Sequence, residues 1–219
     1  MARLLFKKTG SAVWISHLDL MRLFQRAFKR AGLELTHTQG FNPRPSVSIA
    51  LPLSVGTASH CELLDFTLDA EMPDAEIIKQ RLNKALVAGV CVEQVYDNGR
   101  KLKELSYLSC QITLDYDKGI PTGAAEEIGA LFSRDALIVE KKSKNGIVEQ
   151  DILPMIRKID ISSLTETKLM LQAMICCQNP SLNPQQIVAA IDKYLPDLHP
   201  DFVQCCRTEL YDNQETVFR

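Results

Sequence analysis

The chain has 219 residues, of which 46% are hydrophobic and 24% are charged. These proportions are typical of a soluble globular protein and argue against extensive disorder. Near the N-terminus the apolar run Leu4–Phe6 spans only three residues, which is too short for a secretion signal or a membrane span. We therefore expect a cytoplasmic protein without membrane association, in which the seven cysteines are reduced thiols.

The net charge of −2 is unevenly distributed along the sequence. Residues 1–45 contain eight lysines and arginines but only two acids, so they carry +6 and the remaining residues carry −8. A basic N-terminal segment in an otherwise acidic protein indicates one localised anionic partner. Ordinary solvated surface charges are the alternative explanation of the same count.

The first half of the sequence predicts the element order β-α-β-β-α-β. Residues 3–15 favour an extended segment that is interrupted around Gly10. A helix is predicted from Ser16, which forms a capping-box pattern with Asp19, to about residue 31, with Gly32 as its terminator. The later predicted elements are strands over 47–53 and 62–68, a helix opened by Pro73, and a strand over 90–96.

The second half repeats this rhythm after a polar linker that contains Asn98-Gly99. One helix is predicted after Pro121, and another begins at Pro184 with Asn183 as its N-cap. A hairpin turn is expected at Lys144-Asn145-Gly146. The strands of this half are predicted over 107–115, 136–141, 168–177 and 202–211, with a further strand starting at Ile147.

These patterns predict an α+β protein built from two ferredoxin-like β-α-β-β-α-β sandwiches, each an antiparallel sheet with helices on one face. The first domain is expected to span residues 1–97 and to carry the basic helix. The second is expected to span residues 105–219 and to have an extra strand. The strand assignment within residues 147–166 stays open at this point.

The predicted helix over residues 16–31 carries four cations at i, i+4, i+7 and i+8, namely Arg22, Arg26, Lys29 and Arg30. This spacing places them in one stripe opposite the apolar face of the helix. Since no acid lies between them in sequence, they repel one another, and a phosphate backbone would convert that repulsion into attraction. We therefore predict that this helix binds nucleic acid; a plain solvated helix face is the alternative.

The loop over residues 36–45 is the second candidate element, because two prolines and Gly40 restrict its conformation. Such a loop is suited to presenting Phe41, Asn42 and Arg44 to a ligand. The aromatic ring would stack on an unpaired base while the arginine contacts a phosphate. In the alternative interpretation the loop is a stiff connector with the Phe41 ring in the core.

His17 and His37 are alternative catalytic residues, because two histidines that meet at a phosphodiester can act as base and acid. We nevertheless expect the chain to have no catalytic activity of its own. The cysteine spacing contains no CxxC pattern, so the sequence predicts no metal site, no iron–sulfur cluster and no other cofactor.

Several motifs carry a resemblance to a known family. The sequence Ile15-Ser16-His17-Leu18-Asp19-Leu20-Met21-Arg22 is followed by Arg26–Gly32 and by Gly40-Phe41-Asn42-Pro43-Arg44-Pro45. With Lys8-Thr9-Gly10, Leu51–Gly56 and Glu62, these motifs resemble the radical-SAM-linked family of uncharacterised bacterial proteins. The resemblance is dense over about residues 3–70 and loose over the C-terminal half.

The resemblance implies a partner, because members of this family occur beside or fused to a radical-SAM enzyme, in some neighbourhoods with ribosome and RNA-processing genes. We therefore expect an RNA-binding or substrate-presenting accessory protein for a radical-SAM enzyme that modifies RNA, either tRNA or rRNA. The RNA, the modification and the oligomeric state are not specified by the sequence.

Two other functions remain open. Tandem ferredoxin-like units also form the metal-independent endonucleases that process CRISPR repeats, and His17 or His37 would then be the base or the acid. In the other alternative the chain is a scaffold that binds only the partner enzyme, and the basic stripe would contact an acidic protein surface.

Overall fold

A computed structural model describes residues 1–143 and 146–219. The chain divides into two compact units, Met1–Glu104 with Phe218–Arg219, and Leu105–Val217. Both units are mixtures of helices and antiparallel strands, and the described residues include four α-helices. Within those residues no helix is long and apolar enough to cross a membrane. The hairpin turn expected at Lys144-Asn145-Gly146 lies largely outside the described residues.

The first unit has the predicted order of elements. They are β1 (Ala2–Lys8), α1 (His17–Arg30), β2 (Val47–Ile49), β3 (Thr57–Phe66), α2 (Ala75–Ala85) and β4 (Val90–Tyr96). Their strands lie in the order β4-β1-β3-β2, and each neighbouring pair is antiparallel. Helix α1 is capped as predicted, since the Asp19 N–H donates to the Ser16 hydroxyl oxygen at 3.2 Å.

Aromatic side chains fix α1 against its sheet. The Phe24 ring meets Phe6 of β1 edge to face at a centroid distance of 4.7 Å, and Phe28 lies 5.0 Å from Phe66 of β3. Burial of each such side chain contributes about 1.5–3 kcal/mol. Ile78 and Leu82 of α2 are buried in the same core, so both helices cover the same face of this sheet. The opposite face of α1, which carries the arginines, is therefore left to solvent.

The extended segment predicted over residues 3–15 is wrong beyond residue 8. After β1 the chain forms a 3-10 helix, Gly10–Trp14. The reason is Lys8, whose side chain is buried and whose ammonium group donates to the carbonyls of Val13 at 3.1 Å and Ile15 at 2.9 Å. A buried ammonium requires such acceptors, and a curled backbone supplies them where a strand would not.

The second unit contains eight elements. They are β5 (Leu105–Asp115), α3 (Ala124–Leu131), β6 (Ile138–Ser143), β7 (Gly146–Asp151), β8 (Ile156–Thr165), β9 (Lys168–Cys176), α4 (Pro184–Tyr194) and β10 (Phe202–Asp212). Four strands form an antiparallel sheet in the order β10-β5-β9-β8. The predicted start of α4 is confirmed, because Asn183 and Gln186 form a capping box and Pro184 is the first helical residue.

The strands predicted over 136–141 and from Ile147 are confirmed as β6 and β7. Strands β6 and β7 pair with each other in a separate two-stranded sheet. The strand that pairs with β9 is β8, which sequence patterning missed. Most of its side chains are exposed, so the apolar alternation that marks a half-buried strand is weak there.

A buried ion pair links β1 to β3 in the first unit. The Arg3 guanidinium donates to both carboxylate oxygens of Asp65, at 2.6 and 3.0 Å, and to the Arg100 carbonyl at 2.7 Å. It also lies 5.6 Å from the centroid of the Phe218 ring. At Gly99 an added Cβ would lie 2.6 Å from the Arg3 guanidinium carbon, so only glycine allows this approach.

We predict that Asp65→Asn lowers the free energy of unfolding by about 3–5 kcal/mol, because Arg3 would keep its buried charge without a compensating carboxylate. Urea denaturation followed by circular dichroism measures this loss. Asp69→Asn is the control, since Asp69 is an exposed acid of the same unit and its loss changes stability by less than about 0.5 kcal/mol. Equal effects of the two variants would contradict the role given to the pair.

Candidate nucleic-acid interface

Three of the four predicted phosphate-binding cations lie together. Because the apolar stripe of α1 packs on the sheet, Arg22, Arg26 and Arg30 project along one solvent-facing side of the helix. They line an open groove of about 480 Å³. Its other lining residues are Ile15, Asp19, Leu23 and Val87. The groove combines cationic and apolar surface, as sites for nucleotides often do.

The stripe has an acid beside it, although none lies between its cations in sequence. Asp19 lies one turn before Arg22 and accepts a hydrogen bond from its guanidinium at 3.0 Å. The pKa of Asp19 is lowered, first by the hydrogen bond from the Ser16 hydroxyl and then by Arg22. Both partners are largely exposed, so the pair holds Arg22 only weakly and leaves it available to a ligand.

Arg30 joins this groove to a second one on α2. Its guanidinium donates to the Ala85 carbonyl at the end of α2, at 2.6 Å. Beside it lies a groove of about 350 Å³ lined by Arg30, Ala31, Arg81, Lys84 and Ala85. Sequence analysis missed Arg81 and Lys84, because their relevance depends on α2 packing beside α1. Their i, i+3 spacing on a helix was a visible but unspecific signal.

We call the five residues Arg22, Arg26, Arg30, Arg81 and Lys84 the cationic surface. Within the described ranges, Arg26, Arg81 and Lys84 form no ion pair and no side-chain hydrogen bond. Cations left unpaired and close together raise the local positive potential, which attracts and concentrates polyanions.

Lys29 lies about 20° from Arg22 around the helix axis, inside the predicted stripe, but it does not line the arginine groove. It lines a different groove, of about 320 Å³, together with Glu34, His37 and Asp69. Lys29 is at the edge of the stripe opposite to Arg30, from which it is displaced by about 100° around the helix axis. With two acids beside it, Lys29 contributes less positive potential than the arginines do.

Three other N-terminal cations counted in the sequence are internal or paired. Arg3 and Lys8 are buried, and the Lys7 ammonium lies 2.6 Å from a Glu93 carboxylate oxygen. This hydrogen bond lowers the pKa of Glu93 and raises that of Lys7. The net charge of +6 for residues 1–45 therefore overstates the exposed positive charge of this segment. The other two cations of the cationic surface, Arg81 and Lys84, come from α2.

The loop over residues 36–45 presents the Phe41 ring to solvent, as predicted. The Thr38 N–H donates to the Arg44 carbonyl at 2.9 Å, and the Arg44 N–H donates to the Thr38 hydroxyl at 3.0 Å. These bonds close the base of the loop. Phe41 at its tip is fully exposed, and Asn42 and Arg44 are exposed as well, so the alternative with Phe41 in the core is wrong.

The two histidines do not form the pair considered above. His17 begins α1 and its Nδ1 is buried without a hydrogen-bond partner among the described residues. His37 follows the far end of α1 and lines the groove of Gln25 and Lys29. Even Gln25 is about 12 Å along the helix axis from His17. A base–acid pair of these two residues therefore has no geometric support.

Among the described residues no group of three or more metal-ligating side chains is found. Strands β9 and β10 flank β5, and the thiols of Cys110 and Cys205 lie on neighbouring strands. Burial, with a smaller contribution from the neighbouring thiol, raises the pKa of Cys110 to about 12 and that of Cys205 to about 11. Such thiols are poor nucleophiles and poor metal ligands near neutral pH.

We predict that iodoacetamide at pH 8 leaves Cys110 and Cys205 unmodified in the folded protein, because both remain thiols and are buried. Both react once urea unfolds the chain, which peptide mass spectrometry measures. The pKa of a cysteine thiol is ordinarily 9.0, and folding raises it at both residues. Because the unfolded chain then loses these protons first, the stability of the folded state falls as the pH rises from 9.0 to about 11 for Cys205 and about 12 for Cys110. Alkylation of Cys110 in the folded state would contradict this assignment.

A fold with a cationic face on two packed helices and an aromatic loop defines a candidate polyanion-binding protein. The chain belongs to a family of uncharacterised proteins conserved in bacteria (DUF2344), whose model matches residues 2–184. This match agrees with the resemblance to an uncharacterised bacterial family, whereas its link to a radical-SAM enzyme stays a prediction. No curated protein matches the chain.

Two solved structures are similar to the chain at low sequence identity. A chain in the crystal structure of a Cbf5-Nop10-Gar1 complex is 9% identical with a TM-score of 0.47, and the match covers 95% of this chain but only 48% of that one. An unknown protein from Galdieria sulphuraria is 11% identical with a TM-score of 0.27, and the match covers 94% of this chain and 96% of that one. Both scores are too low to carry an argument about fold or function.

Proposed function

We propose that this protein binds RNA through the cationic surface and acts as an accessory protein without catalytic activity of its own. The observation that carries the proposal is that Arg22, Arg26 and Arg30 line one groove and that Arg30 also lines the next, beside Arg81 and Lys84. Two adjoining grooves sharing one arginine suit a chain of phosphates better than a single small anion.

The exposed Phe41 supports nucleic acid over other polyanions. A fully exposed aromatic ring at the tip of a closed loop gains no burial from the fold, but it would gain about 1–3 kcal/mol by stacking on an unpaired base. RNA is favoured over duplex DNA because its single-stranded loops and bulges present such bases. The expected substrates are tRNA or rRNA.

The proposal includes a radical-SAM enzyme as the partner that modifies the bound RNA, and a cytoplasmic location. The seven cysteines are free thiols, which fits a reducing compartment. We also propose that both units are ferredoxin-like. The support is that the orders β4-β1-β3-β2 and β10-β5-β9-β8 are both the 4-1-3-2 arrangement, if the β6–β7 hairpin is an insertion.

The double variant Arg26→Gln/Arg81→Gln tests the proposal. Glutamine has a helix propensity close to that of arginine, and neither arginine has a side-chain partner to lose, so the fold is preserved. If each residue neutralises one phosphate of a single strand, the slope of log affinity against log salt flattens by roughly 1.4. The slope is measured by fluorescence anisotropy, in which a labelled bulk tRNA and a labelled oligouridine are each titrated with the protein at several salt concentrations.

The matched control is Lys101→Gln/Lys118→Gln, which removes two exposed cations that line neither groove and changes the net charge equally. Its salt slope is expected to equal that of the unmodified protein. Identical slopes for all three proteins, with thermal denaturation showing that each is folded, would exclude the cationic surface as the phosphate-binding site. Absence of binding to either RNA would exclude the proposed function.

Phe41→Ala is expected to act through stacking and not through charge. Losing one stacked base weakens binding of oligouridine by about 1–3 kcal/mol while leaving the salt slope unchanged. The same anisotropy titrations measure both quantities. Because Phe41 is fully exposed, its removal leaves the unfolding midpoint unchanged, and a destabilised variant would contradict its placement at the loop tip.

A further inference from the structure

Three exposed apolar side chains, Trp14, Leu18 and Val55, come from the start of α1 and from the two segments next to it, and we call them the apolar patch. Their exposed fractions are 65%, 67% and 48%. Trp14 ends the 3-10 helix that precedes α1, and Leu18 lies in the first turn of that helix. Tryptophan contributes the most hydrophobic surface of any side chain and is rarely left exposed without a function.

The Trp14 ring is held in place and does not hang freely in solvent. The Gly56 N–H donates to the Val13 carbonyl at 2.8 Å, which fastens the loop at residue 56 to the 3-10 helix. An added Cβ at Gly56 would lie 3.5 Å from Cζ3 of the Trp14 ring, so the ring packs over this glycine. One part of the indole is thus supported by backbone while the rest faces solvent.

The patch continues into the cationic surface. Leu18 is four residues before Arg22, and Arg22, Arg26 and Arg30 follow at the same interval, so all four lie on one stripe of α1. Ile15, the residue after Trp14, lines the arginine groove with Asp19. Trp14 itself does not line the groove, so a ligand contacts the ring only if it extends beyond Ile15.

We propose that Trp14 is a base-stacking platform for single-stranded RNA whose phosphates lie on the cationic surface. The inference rests on the proposed function and adds the chemical class of the ligand, which is an unpaired nucleobase next to its phosphate. Arginines on one side and a supported aromatic ring on the other are the two components of single-strand sites. A protein partner fits less well, since three side chains supply far less than the about 800 Å² per partner of a standard interface.

The experiment uses the intrinsic fluorescence of the full chain, because Trp14 is its single tryptophan. The probes are an oligouridine of about 12 nucleotides, a length within the range of single-strand sites, and inorganic polyphosphate, which has charge but no bases. Both probes are expected to bind, as measured by competition against labelled oligouridine. Only the oligouridine is expected to quench the tryptophan, because only a base can stack on it.

Substitution gives a second readout. Trp14→Leu is expected to weaken oligouridine binding about fivefold to 150-fold, with an unchanged salt slope and unchanged affinity for polyphosphate. Trp14→Phe retains a ring and is expected to recover part of the loss. Thermal denaturation confirms that both variants are folded, and the phenylalanine variant serves the test if the leucine variant is unstable.

Outcomes for this site are separable from those for the proposed function. Oligouridine binding without quenching, equal quenching by polyphosphate, or unchanged affinity in Trp14→Leu would each overturn the stacking role while leaving RNA binding by the cationic surface intact. Loss of partner-enzyme binding in Trp14→Leu with unchanged oligouridine affinity would assign the patch to a protein and overturn the inference. Failure of both probes to bind would instead overturn the proposed function.

Discussion

The buried pair of Arg3 and Asp65 is the constraint on which the first unit depends. The pair joins β1 to β3. The Arg3 guanidinium also donates to the Arg100 carbonyl of the linker and lies over the Phe218 ring near the C-terminus. A pair of this kind contributes little net stability compared with apolar residues of similar volume, but losing one partner is costly. Its effect is therefore to specify one arrangement of segments that are distant in sequence.

Helix α1 shows how one periodicity produces both the packing of the helix and its share of the cationic surface. The stripe that includes Phe24 and Phe28 is buried between the helix and the sheet, and this burial fixes the rotation of the helix about its axis. Once that rotation is fixed, Arg22, Arg26 and Arg30 point to the same side of the helix and line the same groove. Repulsion between these like charges destabilises the helix, and burial of the apolar stripe on its other side offsets that repulsion.

Local signals predicted the elements well, whereas signals that depend on tertiary structure failed. Ser16 and Asn183 were sufficient to locate the starts of α1 and α4, because a cap is a local hydrogen bond. The edge strand β8 was missed since it buries few side chains. The 3-10 helix after β1 was missed because its cause is the buried ammonium of Lys8, and no sequence pattern marks a lysine as buried.

The candidate site follows the same division. The arginines of α1 and the exposed Phe41 were predictable from helical spacing and from turn residues. Arg81 and Lys84 were not, because they become part of the surface only through the packing of α2 beside α1. Acidic neighbours also escaped prediction, since Glu34 and Asp69 meet Lys29 only in the folded unit.

The hydrogen bonds of the Lys8 ammonium have a kinetic consequence. They hold the backbone at Val13 and Ile15 on either side of the exposed Trp14, so this segment acquires its shape as the unit folds. A ligand that docks there does not have to order the loop first, and the loss of backbone entropy falls on folding instead of binding. For RNA binding as proposed, this order would remove loop ordering as a slow step between encounter and complex.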